Sequence, residues 1–235
     1  MEGMTVLWNV LWIGAAAAGT AAAIWQYRLR KRNRRVALNT MQAVVNSIDS
    51  KSPYKAGHSQ RVAQWSVKLA SELHYGNPTE VYYAALLHDI GKLEIPEKLL
   101  TMNRKPTPEE EKLLHRHPVM GAKLTAGITD FPDVRLAALY HHERCDGKGY
   151  PEGLSKENIP MIARIVAAAD AYDAMAHERA TRGALDRGEI LREFREHSEK
   201  QFDPKVAKAM AKIIADEACT AEECEIKQKG SKTKA

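Results

Sequence analysis

The stretch EVYYAALLHDIGK, residues 80–92, sets apolar side chains at helical spacing and ends in a His–Asp pair. The same periodicity recurs in QAVVNSI (42–48), RVAQWSVKLASEL (61–73), DVRLAALYHH (133–142) and MIARIVAAADAYDAM (161–175). No alternating pattern of comparable length competes, so the chain reads as all-α. Pro78, Pro106, Pro108, Pro118, Pro132 and Pro160 fall at expected helix starts or in connections. Thr107, followed by Pro108 and Glu109 to Glu111, is an amino-terminal cap with acid in the first turn. These elements predict a helical bundle whose polar residues converge from several helices.

Those polar residues are His58, His88, Asp89, His117, His141, His142 and Asp170. Imidazole and carboxylate suit iron, manganese and zinc, and this set exceeds the needs of one tetrahedral ion, so two metals are expected. Neighbours on a helix project about 100° apart, which sends His88 and Asp89 to different sides of a cleft. A carboxylate between two cations can bridge them, a role that suits Asp89. His141 and His142 precede Asp146, Gly147, Gly149, Tyr150 and Pro151, a run that must leave the helix and can free the backbone to aim both imidazoles inward. His115, two residues from His117, is expected on another face. Asp173, at i+3 from Asp170, is expected to hold a ligating His.

HDIGK (88–92), HHERCDGKGYPEGL (141–154) and AAADAYDAM (167–175) resemble the HD-GYP family of HD-superfamily phosphohydrolases. SPYKAGHSQRV (52–62), IPEKLL (95–100), HPVMGAKL (117–124) and QFDPKV (201–206) extend the likeness from about residue 40 to about residue 215. The resemblance implies an all-helical, metal-dependent phosphodiesterase that opens cyclic di-GMP to linear pGpG, with onward cleavage to GMP in some members. It implies one metal held by His58, His88, Asp89 and Asp170, and another by Asp89, His117, His141 and His142, with iron or manganese favoured over zinc, magnesium or nickel. It also places Lys92 beside the scissile phosphate. Some members hold a third metal through a Glu four residues before the first His. That position is Tyr54 here, which favours a two-metal site and pGpG as product.

The chemistry fits these residues. A phosphodiester is anionic and resists hydroxide, so cleavage needs neutralised charge and a nucleophile available at neutral pH; paired cations about 3.5–4 Å apart supply both. Lys92, one turn beyond Asp89, adds positive charge where the phosphoryl oxygens become negative. The glycine-rich loop from Gly147 to Gly153 is expected beside the metals, with Gly149 and Tyr150 as substrate contacts. Cys145 stands where the family often has Trp. HERATRG (177–183) resembles a family segment usually reading RPYR, which makes Arg179 and Arg182 candidate phosphate ligands.

From Thr5 to Tyr27 no residue is charged, and Arg28, Arg30, Lys31, Arg32, Arg34 and Arg35 come directly after. Length and flank together predict one membrane-crossing helix with the rest of the chain in the cytoplasm, and the resemblance implies that the membrane is a bacterial inner membrane. The net charge is +5, less than this cluster alone carries, so the remainder is slightly acidic. Nucleic-acid binding is therefore not indicated, and anionic lipid is the expected neighbour of the cluster. The expected organisation is an anchor with its basic flank (1–35), a catalytic domain (36–216) and a disordered tail (217–235). Cys145, Cys219 and Cys224 read as free thiols. Expected partners are cyclic di-GMP, the bilayer, a second copy in a homodimer, and a diguanylate cyclase (GGDEF) met through the GYP loop. Two other readings stand beside this one: a phosphohydrolase for another cyclic dinucleotide or nucleotide, and a catalytically silent scaffold.

Overall fold

The computed structural model describes residues 2–51, 57–178 and 183–217, with side chains described from residue 18 onward except at 34, 37, 38 and 51. The chain divides into two units, Met1–Val44 and Val45–Ala235. Among the described residues the regular structure is helical throughout apart from one isolated bridge between Ser198 and Phe202.

α1 runs from Glu2 to Lys51 without a break. The membrane-crossing segment expected at 5–27 does not hold: among the described residues no helix is long and apolar enough to cross a membrane. That finding overturns the anchor in the expected fold, the single-pass topology and the inner-membrane location. The physical reason lies in composition: from residue 18 the segment is mostly Ala, Gly and Thr, which offer little apolar surface, and the helix then enters the basic run at Arg28. The first part of the expected span, 5–17, lies outside the residues whose side chains are described.

In the second unit each apolar run becomes a helix. α2 is His58–Glu72, α3 Pro78–Leu86, α4 Glu97–Leu100, α5 Pro108–Leu114, α6 His117–Leu124, α7 Pro132–Tyr140, α8 Met161–Ala176 and α9 Arg187–Glu196. Residues 204–217 form α10. Short 3-10 turns occupy Ile90–Glu94 and Lys156–Asn158. Several starts coincide with prolines: Asn77 caps α3 ahead of Pro78, and Thr107 and Glu110 form a reciprocal capping box at the start of α5.

α2, α3, α7 and α8 pack together, burying Val62, Leu69, Val81, Leu86, Val134, Ile162, Ile165 and Val166. Ala163, Ala168 and Ala169 on α8 are fully buried, and their small side chains let neighbouring backbones approach. Asp49, near the end of α1, is buried and accepts from both the backbone N–H (3.0 Å) and the hydroxyl (2.7 Å) of Ser59, which pins the start of α2 beside His58.

Candidate metal centre

The candidate ligands sit where helices end. α3 stops at Leu86, so His88 and Asp89 occupy the turn before the 3-10 segment rather than a helix. The helical angle expected between them does not apply; the turn itself directs them apart. α7 stops at Tyr140, which places His141 at its carboxy-terminal cap and His142 in the turn beyond. His58 and His117 open α2 and α6, and Asp170 lies within α8.

Two groups result. Asp89, His117, His141 and His142 bring one ligand atom each within 4.8 Å of one another, and His58, His88 and Asp170 do the same. Asp89 joins them: its Oδ2 is 3.4 Å from His88 Nε2, while its Oδ1 is 3.2 Å from His117 Nε2 and 3.7 Å from His141 Nε2. His58 Nε2 is 3.3 Å from Asp170 Oδ1.

These distances fit a shared cation. Donors bound to one ion at about 2.1 Å stand roughly 3.0–3.5 Å apart. Tautomers strengthen the case. His88, His117 and His141 each place Nδ1 at 2.7, 2.8 and 2.9 Å from the carbonyls of Ala85, Leu114 and Ala137. A carbonyl only accepts, so each Nδ1 carries the proton, and in a neutral ring Nε2 presents a lone pair. Yet Nε2 of His117 and of His141 face each other at 3.3 Å, and His117 Nε2 faces a carboxylate oxygen. Lone pairs so close repel unless positive charge lies between them. His88 Nε2 and Asp89 Oδ1 are buried with no hydrogen bond of ordinary geometry among the described residues. The residues therefore fit divalent metal, and both groups could hold one.

Outer contacts fix the rings. His58 Nδ1 is 2.7 Å from Asp173 Oδ2, and Asp173 is gripped by Arg61 through Nε at 2.6 Å and Nη2 at 3.0 Å. Asp173 thus stands beside a candidate ligand, as its position in the sequence leads one to expect. Arg61 is not foreseen by sequence, since nothing in its spacing marks it. Lys92 ion-pairs with Asp89.

Electrostatics separate the imidazoles. Burial pushes His88 down, but the adjacent charge of Asp89, with Asp170 and the Ala85 carbonyl, raises it to about 9. Burial lowers His141 to about 4 and takes His142 well below its ordinary value, with neighbouring imidazoles adding to the effect. Burial opposes ionisation of Asp89, yet Lys92 and His88 hold it well below the usual carboxylate range. His141 and His142 are thus in the neutral form that a metal would take up, whereas His88 would first have to lose a proton. Metal uptake by the metal-free protein at neutral pH is expected to release nearly one proton from His88, and affinity should rise with pH until about 9, where that proton is already gone. Metal titration with an indicator dye measures this; uptake without proton release would remove His88 from the ligand set.

The loop after α7 closes the site. Gly147 has φ +72° and Gly153 φ +68°, whereas Gly149 serves close approach: a Cβ there would lie 2.5 Å from Arg144 N and Glu143 Cα. Glu143, which lies within the 141–154 motif but to which sequence assigns no role, is buried, and its Oε1 accepts from the N–H groups of Glu152 (2.7 Å) and Gly153 (3.0 Å), clamping the loop. Tyr150 stacks on His142 with ring centroids 4.8 Å apart. A cleft of about 760 Å³ has Asp170, His142, Arg144, Lys148 and Gln201 among its lining residues. Arg179, Arg182, Tyr54, Cys219, Cys224 and the tail beyond 217 lie outside the described residues. Cys145 is a buried free thiol.

Comparison with known proteins adds to this geometry. The HD domain family model matches residues 42–206. A cyclic di-GMP phosphodiesterase of Thermotoga maritima is 37% identical over 161 residues, covering 66% of this chain and 44% of that protein. A 3'3'-cGAMP-specific phosphodiesterase 3 of Vibrio cholerae is 33% identical, covering 71% of this chain and 37% of its own length. The chain thus spans about two fifths of these relatives. A crystal structure of a cyclic GMP-AMP-specific phosphodiesterase of V. cholerae matches with a TM-score of 0.59 at 18% identity, over 75% of this chain and 48% of that one, which shows the fold.

Proposed function

The chain belongs to the HD-domain family, in its HD-GYP branch, and on that premise we propose that it is a metal-dependent phosphodiesterase opening cyclic di-GMP to linear pGpG. The observation that carries the reading is Asp89, whose two oxygens face the two ligand groups. The proposed ligands are His58, His88, Asp89 and Asp170 on one side and Asp89, His117, His141 and His142 on the other. Two divalent ions there, iron or manganese by preference, would supply charge neutralisation and water of lowered pKa.

The chain's own groups do the rest. Asp173 and the three backbone carbonyls hold four of the five imidazoles in one orientation, so the site is largely set before substrate arrives. Lys92, tied to Asp89 and largely buried, offers its ammonium to a phosphate oxygen. Lys92→Ala is expected to lower turnover about a hundredfold while metal content stays; equal loss of both would make Lys92 a support of the metal site rather than a partner of the phosphate.

Supporting the substrate assignment, the T. maritima and V. cholerae relatives both cleave guanine-containing cyclic dinucleotides by name. The test is hydrolysis of cyclic di-GMP by the full chain, anaerobically, with iron or manganese supplied. Turnover to pGpG without GMP is the expected result. Absence of turnover with both metals bound would redirect the search to another cyclic dinucleotide, and a chain that takes up no metal would favour a signalling scaffold.

A further inference from the structure

A second, smaller cleft of about 280 Å³ opens beside the ligand groups, with Lys92, His117 and His142 among its lining residues. Its other walls contribute no candidate metal ligand. Ile95, Leu99, Leu100 and Leu114 give it an apolar surface. Aromatic rings form another side: His115 stacks on Tyr150 at 3.9 Å between centroids and 17° between planes, and Tyr150 continues the stack onto His142. Glu111 also lines it, with Oε1 3.8 Å from His115 Nε2. Its neighbour Glu110 is taken up by Arg104 at 2.6 Å and by the cap at Thr107, whereas the Glu111 side chain is 57% exposed.

Flat apolar and aromatic walls suit a planar ring, and a lysine beside the metal groups suits a ligand whose ring carries a phosphate nearby. That combination describes a nucleotide base. The carboxylate selects among bases. Guanine presents N1–H and N2–H side by side, two donors that one carboxylate accepts together. Adenine offers one N–H next to the N1 lone pair, which a carboxylate repels. Uracil flanks its N–H with carbonyl oxygens.

We propose that this cleft is a guanine subsite, in which His115, backed by Tyr150, stacks on the base and Glu111 accepts its N1–H and N2–H. The assignment rests on the cyclic-dinucleotide reading of the metal centre and specifies how one end of that substrate is held. It also gives His115 a task that its spacing from His117 concealed.

The experiment uses the full, manganese-loaded chain and its Glu111→Gln, His115→Ala and His115→Phe variants, assayed on cyclic di-GMP and cyclic di-AMP with metal content measured throughout. Glu111→Gln is expected to raise KM for cyclic di-GMP about tenfold, with the effect in KM rather than kcat, and to narrow the preference for guanine over adenine by a similar factor. His115→Ala should raise KM for cyclic di-GMP about tenfold, and Phe, which restores the ring face, should recover most of the loss. Wild-type turnover of cyclic di-GMP with KM unchanged in both Glu111→Gln and His115→Ala overturns the subsite and leaves the phosphodiesterase reading standing. Parallel loss of kcat and metal in His115→Ala, unrelieved by Phe, overturns it too, because that is the mark of a structural support. A metal-loaded wild-type chain that cleaves neither dinucleotide overturns the phosphodiesterase reading and the subsite with it.

Discussion

Replacing Asp89 by alanine is expected to empty both ligand groups of tightly held metal and to lower cyclic di-GMP hydrolysis by about a thousandfold or more. The expectation comes from position. Asp89 is the residue whose oxygens approach His88 on one side and His117 and His141 on the other, and it is almost fully buried. Without it, each group loses a negative donor and keeps neutral imidazoles, with Asp170 the one carboxylate remaining among the candidate ligands. Asp89→Asn separates charge from shape, since the amide keeps the size and loses the anion; it should behave almost as badly. Metal analysis by emission spectroscopy, with circular dichroism to verify the helices, measures the outcome. Retention of two metals per chain by Asp89→Ala would show that the bridge is not essential to either group.

Gly91→Ala should be the most damaging single-methyl change in the second unit. A Cβ on Gly91 would lie 1.9 Å from the His117 carbonyl oxygen, 2.5 Å from Gly121 N and 2.8 Å from His117 C. All three are backbone atoms, so no rotamer change can relieve the clash; the 3-10 segment and α6 must separate. Overpacking of this kind costs about 3 kcal/mol or more, which for a chain of this size lowers Tm by roughly 6–12 °C. His117 is itself a candidate ligand, so metal affinity should fall with stability. Gly127→Ala is the control, because nothing lies within 4 Å of a Cβ there. Thermal melts of the two variants beside wild type decide the matter, and equal melting of Gly91→Ala and wild type would show that the two segments are free to part.

Much of this organisation was legible in the residues. Apolar periodicity located α2, α3, α7 and α8, prolines located the starts of α3, α7 and α8, and Thr107 that of α5, because both signals are local. The structure brings together the His and Asp residues singled out by chemistry, since buried imidazoles and carboxylates in such number have few other ways to be satisfied. What helical arithmetic misses is where a helix stops. His115 stands outside the candidate ligand groups, as its spacing from His117 leads one to expect, yet the two share no helix: α5 ends at Leu114 and α6 begins at His117. His115 then lands on Tyr150. Arg61 and Glu143 escaped notice because their partners, Asp173 and the N–H groups of Glu152 and Gly153, are set by tertiary packing or loop shape. The amino-terminal stretch misled through length and lack of charge, which outweighed its alanine-rich composition.

Three of the candidate ligands, His88, His117 and His141, are oriented by main-chain carbonyls three or four residues back, near the ends of helices. A main-chain oxygen is supplied by every amino acid, so no substitution at Ala85, Leu114 or Ala137 can delete the acceptor itself. Aim is thereby written into the geometry of a terminating helix and not into a second side chain. Such a centre can tolerate wide drift in the surrounding sequence provided each helix still stops in the same place. His58 and His142 are the exceptions: one relies on Asp173 and the other stacks on Tyr150, and these are the rings whose bearing a point mutation can unset.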